Sequence, residues 1–187
     1  MPRPLDDAVR TLARGGVVVY PTDTLYGLGA RASDRSAVQQ VLDLKGRPEG
    51  MPISIAVSST EEIESWAALN DRSRAVVRRE LPGPVTLLLP ANRNARRSFG
   101  APIVSPSGTI GMRVPDHPLA RELARRSGPI TATSANRHGE APAMSIAEAR
   151  RVFQNGIRLY LDDPPLPRGR PSRLIDLTGT TPRSVER

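Results

Sequence analysis

The sequence predicts an α/β fold: a twisted, mixed β-sheet flanked by helices. Three observations carry this. An amphipathic stretch, LDDAVRTLARGG, runs directly into the β-prone VVVYP, the pattern of a helix feeding a strand buried on both faces. Helical and strand patterns then interleave along the chain. Several connections are too short for helical crossovers, so antiparallel pairs must be mixed among the parallel ones. The 187 residues suit one domain with a substantial core, and 1–187 reads as a single domain with a short C-terminal tail.

Taken in order, the first helix has Asp6 and Asp7 in its opening turn and a glycine stop, and the strand after it ends at Pro21. SDRSAVQQVLDLKG forms a second helix, with Ser33 or Asp34 as N-cap and Gly46 just past its end, which puts Lys45 at a helix C-terminus. PISIAVS is a strand. STEEIESWAALN opens helically at Thr60, and DRSRAVVRREL continues as helix to the break at PGP. VTLLLPA is a strand, whereas residues 92–109 are polar and turn-rich and are expected as a surface loop. IGMRVP is a short strand leading into DHPLARELARRSG, a helix with Leu119, Leu123 and Ala124 on one side. PITATSAN is a strand entering a polar turn, SIAEARRVFQNG is a capped helix, and the strands IRLYLDD and SRLIDLTG flank PPLPRGRP.

Composition removes whole chemistries. With no cysteine there is no disulfide framework, thiolate zinc site or cysteine nucleophile, and the two histidines, His117 and His138, lack ligand spacing. No apolar run approaches the roughly 20 residues of a membrane span, and the N-terminus lacks the apolar core of a signal peptide, so the expected location is the cytoplasm. The net charge of +8 creates a field that draws polyanions, whether nucleic acid or nucleotide phosphates.

Candidate chemistry lies at strand ends, where loops of open α/β sheets converge. PTDTLYGLGA places Thr22, Asp23, Thr24 and Tyr26 after a buried strand, as a capped turn or as a ligand loop that Gly27 and Gly29 let approach closely. Ser134 and Asn136 in ITATSANRHG repeat the arrangement. Lys45 is the one lysine among 27 basic residues, and with Arg47 it brackets Gly46. Two cations so placed can converge on one anion, and the compact ammonium fits a crowded phosphate cage better than a planar fork. The alternative is a lysine at a helix dipole, a role any arginine would fill. Arg113 leaves an apolar strand and needs a carboxylate, either internal or from a substrate. The other arginines read as solvated helix faces or as RNA contacts.

PTDTLYGLGA, KGRP followed by MPIS, LPGPVTLLLP, GMRVPDHP, TATSANRHGEAP and PSRLIDLTG stand in the order and spacing of the YrdC-like family, the threonylcarbamoyl-AMP synthases. The chain resembles its short, single-domain type over about residues 8–178. The resemblance implies a mixed sheet around a basic concave cavity. It also implies a nucleotidyltransferase that makes threonylcarbamoyl-adenylate and pyrophosphate from L-threonine, bicarbonate and ATP with Mg²⁺. A separate transferase complex would then modify adenosine 37 of tRNA. By motif, Lys45 and Arg47 resemble the catalytic, phosphate-binding pair. Thr109, Ser134 and Asn136 resemble further ATP contacts, and the family's C-terminal ATP-contacting arginine corresponds to Arg183, to Arg187 or to no residue of this chain. Thr22, Tyr26, Arg113 and Ser172 resemble the threonine site, with Arg113 on its carboxylate. Met51, His138 and Arg173 depart from common residues of the family.

The family chemistry suits a chain without cysteine or a catalytic histidine, because a threonine N-carboxylate is already anionic when it attacks the α-phosphorus. PPLPRGRP or RPEGMP is the expected moving cover. Two other readings compete. One is a non-catalytic RNA-binding or ribosome-assembly protein, which the few scattered aromatics disfavour. The other is a carbamoyl-transfer enzyme, a type found within much longer chains.

Overall fold

The computed structural model describes residues 4–48, 50–164 and 169–185. Helix α1 (Pro4–Ala13) keeps its acids in the first turn and buries Ala8 and Leu12. Strands β1 (Val18–Tyr20) and β2 (Gly27–Gly29) follow, then α2 (Arg35–Lys45). Asp34 caps α2 by accepting from the Ala37 N–H, and Gly46 ends it in the left-handed region at φ 57°. Next come β3 (Ile55–Ala56), α3 (Thr60–Glu64), α4 (Asp71–Glu80), β4 (Val85–Pro90) and α5 (Arg93–Ser98). The chain continues through β5 (Thr109–Arg113), α6 (Pro118–Ser127), β6 (Ile130–Thr131) and β7 (Thr133–Ser134). It ends in α7 (Ile146–Phe153), β8 (Leu159–Tyr160), β9 (Arg173–Asp176) and β10 (Arg183–Val185). Among the described residues no helix is long and apolar enough to cross a membrane.

The mixed α/β architecture is as expected, but the strands divide into two sheets. The smaller runs β7-β2-β1-β8 and the larger β10-β9-β4-β5-β3-β6, each mixing parallel and antiparallel pairs. Three clusters fill the core. One packs α3, α4 and α5 through Ile63, Val77 and Phe99 against Leu87, Leu89, Ile110 and Met112 of the larger sheet. A second packs α2 and α7 on the smaller sheet through Val41 and Phe153. The third sets α1 and α6 against Val18 and Tyr20 and joins the sheets through Ala56 and Ile130.

Alternation along the strands determines the other face of the larger sheet. Ile110 and Met112 enter the core, so Thr109, Gly111 and Arg113 share the opposite face. Directly paired residues lie on one face, and register places Leu88 opposite Gly111, Asp176 opposite Leu88 and Arg183 opposite Asp176. Leu88, Leu174, Asp176 and Thr109 on this face are only partly buried, and Arg183 and Val185 are exposed. The helices cover one side and leave this one to the site.

Three segments differ from expectation. Residues 92–109 contain α5, capped by Asn92, and send Phe99 and Ile103 into the core, because one turn of helix buries Ala95 while its arginines point outward. The C-terminal region adds β10 as an edge strand on β9. The GLG of β2 is also strand rather than turn. Its glycines pair with Val18 and Tyr20, and the buried Tyr20 ring occupies the space that their side chains would fill.

A Cβ on Gly29 would sit 3.0 Å from two Tyr20 ring carbons, and that ring is fixed by its hydroxyl donating to the Thr131 carbonyl at 2.9 Å. Gly29→Ala is therefore expected to cost about 1–3 kcal/mol of stability. Thermal unfolding measures this, and an unchanged Tm would show that the ring is not clamped.

Candidate functional site

A small hollow opens where the two sheets meet, lined by Thr22, Thr24, Tyr26, Arg113, Ser134 and Ser172 among others. Five of the ten site residues expected from sequence thus share one cavity.

The turn after β1 is built by Thr22. Its Oγ1 donates to the Leu25 carbonyl at 2.6 Å and accepts from the Thr24 and Leu25 N–H groups, both at 3.2 Å. The hydroxyl proton and both acceptor lone pairs of Thr22 are committed inside the turn, so Thr22 shapes the wall of the hollow by bracing the turn. Tyr26 donates to Asp162 at 2.7 Å, and burial together with that carboxylate pushes its pKa up, so it stays a neutral phenol.

Arg113 ends β5 almost fully buried. Its Nη2 donates to Asp23 Oδ1 at 2.6 Å and its Nη1 to Thr24 Oγ1 at 2.9 Å. Burial pulls the guanidinium pKa down, and the Asp23 charge opposes that. Arg113 Nε and Asp23 Oδ2 are both buried without a partner. The internal carboxylate is thus present, and N–H groups of Arg113 remain for a second one. Ser172 Oγ, just before β9, and Thr86 Oγ1 of β4 lie 2.8 Å apart.

Lys45 approaches the same strand end from α2. Its Nζ donates to the carbonyls of Ser134 (2.7 Å) and Asn136 (2.9 Å) and to Asn136 Oδ1 (3.2 Å). The Lys45 carbonyl accepts from the His138 N–H at 2.7 Å. Three converging acceptors match the three protons of an ammonium and not a planar fork, which is why a chain so rich in arginine has lysine here. Burial lowers its pKa from 10.5 to about 8, with a further push from Arg47. Asn136 is held in turn by the Ser134 hydroxyl (2.6 Å) and by its own amide donating to the Arg137 and Glu140 carbonyls. Arg47 is half-buried, burial lowers its pKa, and among the described residues its side chain makes no hydrogen bond or ion pair.

The remaining expected residues lie apart from the hollow but on its side of the larger sheet. Thr109 is four residues from Arg113 along β5, about 13 Å at strand rise, and its hydroxyl is 2.7 Å from Ser105 Oγ. Arg183 starts β10, three strands across. Arg187 lies outside the described residues, as do Glu49 and 165–168 within the two expected covers. Among the described residues no group of three or more His, Cys, Asp or Glu side chains converges.

The sequence placed Asp23 and Thr24 in the candidate loop after β1 without a role of their own, and it did not single out Thr86 or Asp162. The role of Asp23 was findable: a buried arginine demanded a carboxylate, and the motif after β1 supplied one. Thr86 and Asp162 depend on how distant segments pair.

The family model described as telomere recombination, for Sua5, YciO and YrdC proteins, matches residues 10–187. The threonylcarbamoyl-AMP synthase of Chromohalobacter salexigens is 38% identical over 174 residues, covering 91% of each chain. The structure of P. abyssi Sua5 complexed with L-threonine matches with a TM-score of 0.89 at 32% identity, over 97% of this chain and 53% of that one, so this chain spans about half its length. E. coli YciO matches with a TM-score of 0.86 at 26% identity, over 100% of this chain and 90% of that one. The motifs, the two-sheet fold and these likenesses agree: the chain belongs to the Sua5/YciO/YrdC family.

Proposed function

We infer that the chain is a threonylcarbamoyl-AMP synthase, a nucleotidyltransferase that forms threonylcarbamoyl-adenylate and pyrophosphate from L-threonine, bicarbonate and ATP. The observation that carries the reading is the strand end at Ser134. It lines the hollow beside Arg113 and also accepts from Lys45, so a carboxylate site and a phosphate site share one wall. Relatives bearing the synthase name, and a Sua5 bound to L-threonine, support it.

In this scheme the threonine carboxylate takes the uncommitted N–H groups of Arg113, while Thr22, Tyr26 and Ser172 position the rest of the amino acid. The nucleotide lies along the open face towards Thr109 and Arg183, with its phosphates at Arg47 and in the uncompensated positive field of Lys45, beside the turn that Lys45 and Asn136 hold. The threonine amine adds to carbon dioxide derived from bicarbonate and loses a proton, giving an N-carboxylate. That anion attacks the α-phosphorus, a P–O bond forms, and the bond to pyrophosphate breaks. The side chains supply alignment and charge stabilisation rather than a strong base. Mg²⁺ arrives as part of the nucleotide complex, and no residue is assigned to it. A cytoplasmic setting, weak contact with tRNA through exposed arginines, and transfer of the product to a separate tRNA-modifying complex complete the proposal.

Pyrophosphate release from ATP is expected to require both threonine and bicarbonate; release that ignores either would refute the reading. Arg113→Lys keeps the charge beside Asp23 but loses the fork. It should raise the threonine KM about 10- to 100-fold while changing the ATP KM little, the scale of one or two charge-assisted hydrogen bonds. Equal effects on both substrates would assign Arg113 to structure.

Lys45 provides a second test, because ¹³C-lysine labelling yields one side-chain resonance in this chain. It should titrate near 8 and not 10.5. In a folded protein whose lysine pKa is depressed, the unfolded state binds more protons between these values, so this group makes stability rise as pH climbs from about 8 to 10.5. ATP should move the midpoint upward, since an anion favours the charged form. A midpoint that ATP leaves in place would detach Lys45 from the phosphates.

A further inference from the structure

Arg113 lines the hollow and Lys45 bonds to the carbonyl of Ser134 in its wall, but the surroundings of the two cations differ. Arg113 and Asp23 have side chains only 7% and 5% exposed, and they are joined at 2.6 Å. A carboxylate that close, in surroundings of low polarity, cancels most of the guanidinium's field a few ångströms away, yet leaves its remaining N–H groups free to donate. Lys45 bonds to two backbone carbonyls and one amide oxygen, all neutral. Arg47 has no ion pair among the described residues. The Arg113 site is therefore electrically balanced and recognises shape, while the Lys45 site carries uncompensated positive charge.

The two substrates of the synthase reading, on which this inference rests, differ in the same way. An amino acid is a zwitterion with no net charge, whereas a nucleotide tail carries several negative charges. We propose that Asp23 is a specificity-determining residue: by neutralising Arg113 it keeps phosphate groups out of the amino-acid end of the hollow and leaves them to Lys45 and Arg47. The unpartnered Oδ2 of Asp23 fits this role, because a buried carboxylate oxygen without a donor repels a second anion. Asp23 also lines an adjoining recess together with Arg170 and Arg173, so its charge is set between those exterior cations and Arg113. Without it, Arg113 would be a buried bare guanidinium with donors suited equally to phosphate and carboxylate.

The experiment measures binding, so it does not depend on turnover. Calorimetric titration of the full chain with inorganic phosphate should find one site, lost in Lys45→Met, and phosphate should leave the apparent Kd for L-threonine within about twofold. Asp23→Asn preserves shape and a hydrogen-bond acceptor while removing the charge. It should create a second phosphate site that competes with threonine, so that phosphate raises the apparent threonine Kd about tenfold or more, the scale of one unfavourable charge contact. Competition between phosphate and threonine in the unaltered chain would overturn the proposal, and that arm decides even if Asp23→Asn fails to fold. Unchanged phosphate stoichiometry in a folded Asp23→Asn would overturn it equally. Failure of the unaltered chain to bind threonine would instead defeat the synthase reading, while the phosphate count still judges Asp23.

Discussion

A guanidinium taken out of water needs an anion, and the Arg113–Asp23 pair meets that need across the seam between the two sheets. Arg113 comes from the larger sheet and Asp23 from the turn that follows β1 in the smaller one. Losing either partner would strand a buried charge, a cost of about 3–5 kcal/mol. The local design follows from that constraint. Pro21 ends the strand, Thr22 braces the turn through its hydroxyl, and Thr24 adds a second bond to the guanidinium. The returning C-terminal segment is tied to the same turn by the Gly169 N–H donating to the Thr24 carbonyl and by Asp162 accepting from Tyr26.

Around that seam the architecture separates support from function. Helices α3, α4 and α5 take one face of the larger sheet and fill it with aliphatic and aromatic side chains. The other face alternates polar and apolar residues and stays partly open. Gly111 shows how tightly this surface is drawn: the space beside its Cα is taken by the Ser54 hydroxyl, so a serine from the next strand lies between the levels of Thr109 and Arg113. Lys45 does for the 134–136 turn what Thr22 does for the turn after β1, closing an irregular backbone through side-chain hydrogen bonds.

Much of this was legible in the sequence because each signal was local. Gly46 after a periodic helix put Lys45 at a C-terminus, and Asp34 fitted its cap. The polar turns after strands pointed to Thr22, Tyr26, Ser134 and Asn136, and Arg113 in an apolar strand announced a missing partner. The division into two sheets was not legible, since it depends on which short strands pair, and β3, β6, β7 and β8 have only two residues each. The 92–109 segment misled because its arginines outnumber the few apolar residues that anchor it, Ala95, Phe99 and Ile103. The glycines of β2 look like turn residues until the Tyr20 ring opposite them is known. Thr109 and Arg183 share a face with Arg113 only through register.

The placement of the single ammonium has an effect on the exterior as well. Lys45 is 4% exposed, so all the positive side chains that this protein shows to solvent are guanidinium groups. Acylating metabolites, reducing sugars and amine-directed crosslinkers that react with lysine meet a single side-chain amine on the folded molecule, held back by burial and three hydrogen bonds. A reagent of that kind that did attach to a side chain would be reporting on the phosphate end of the site and not on the exterior.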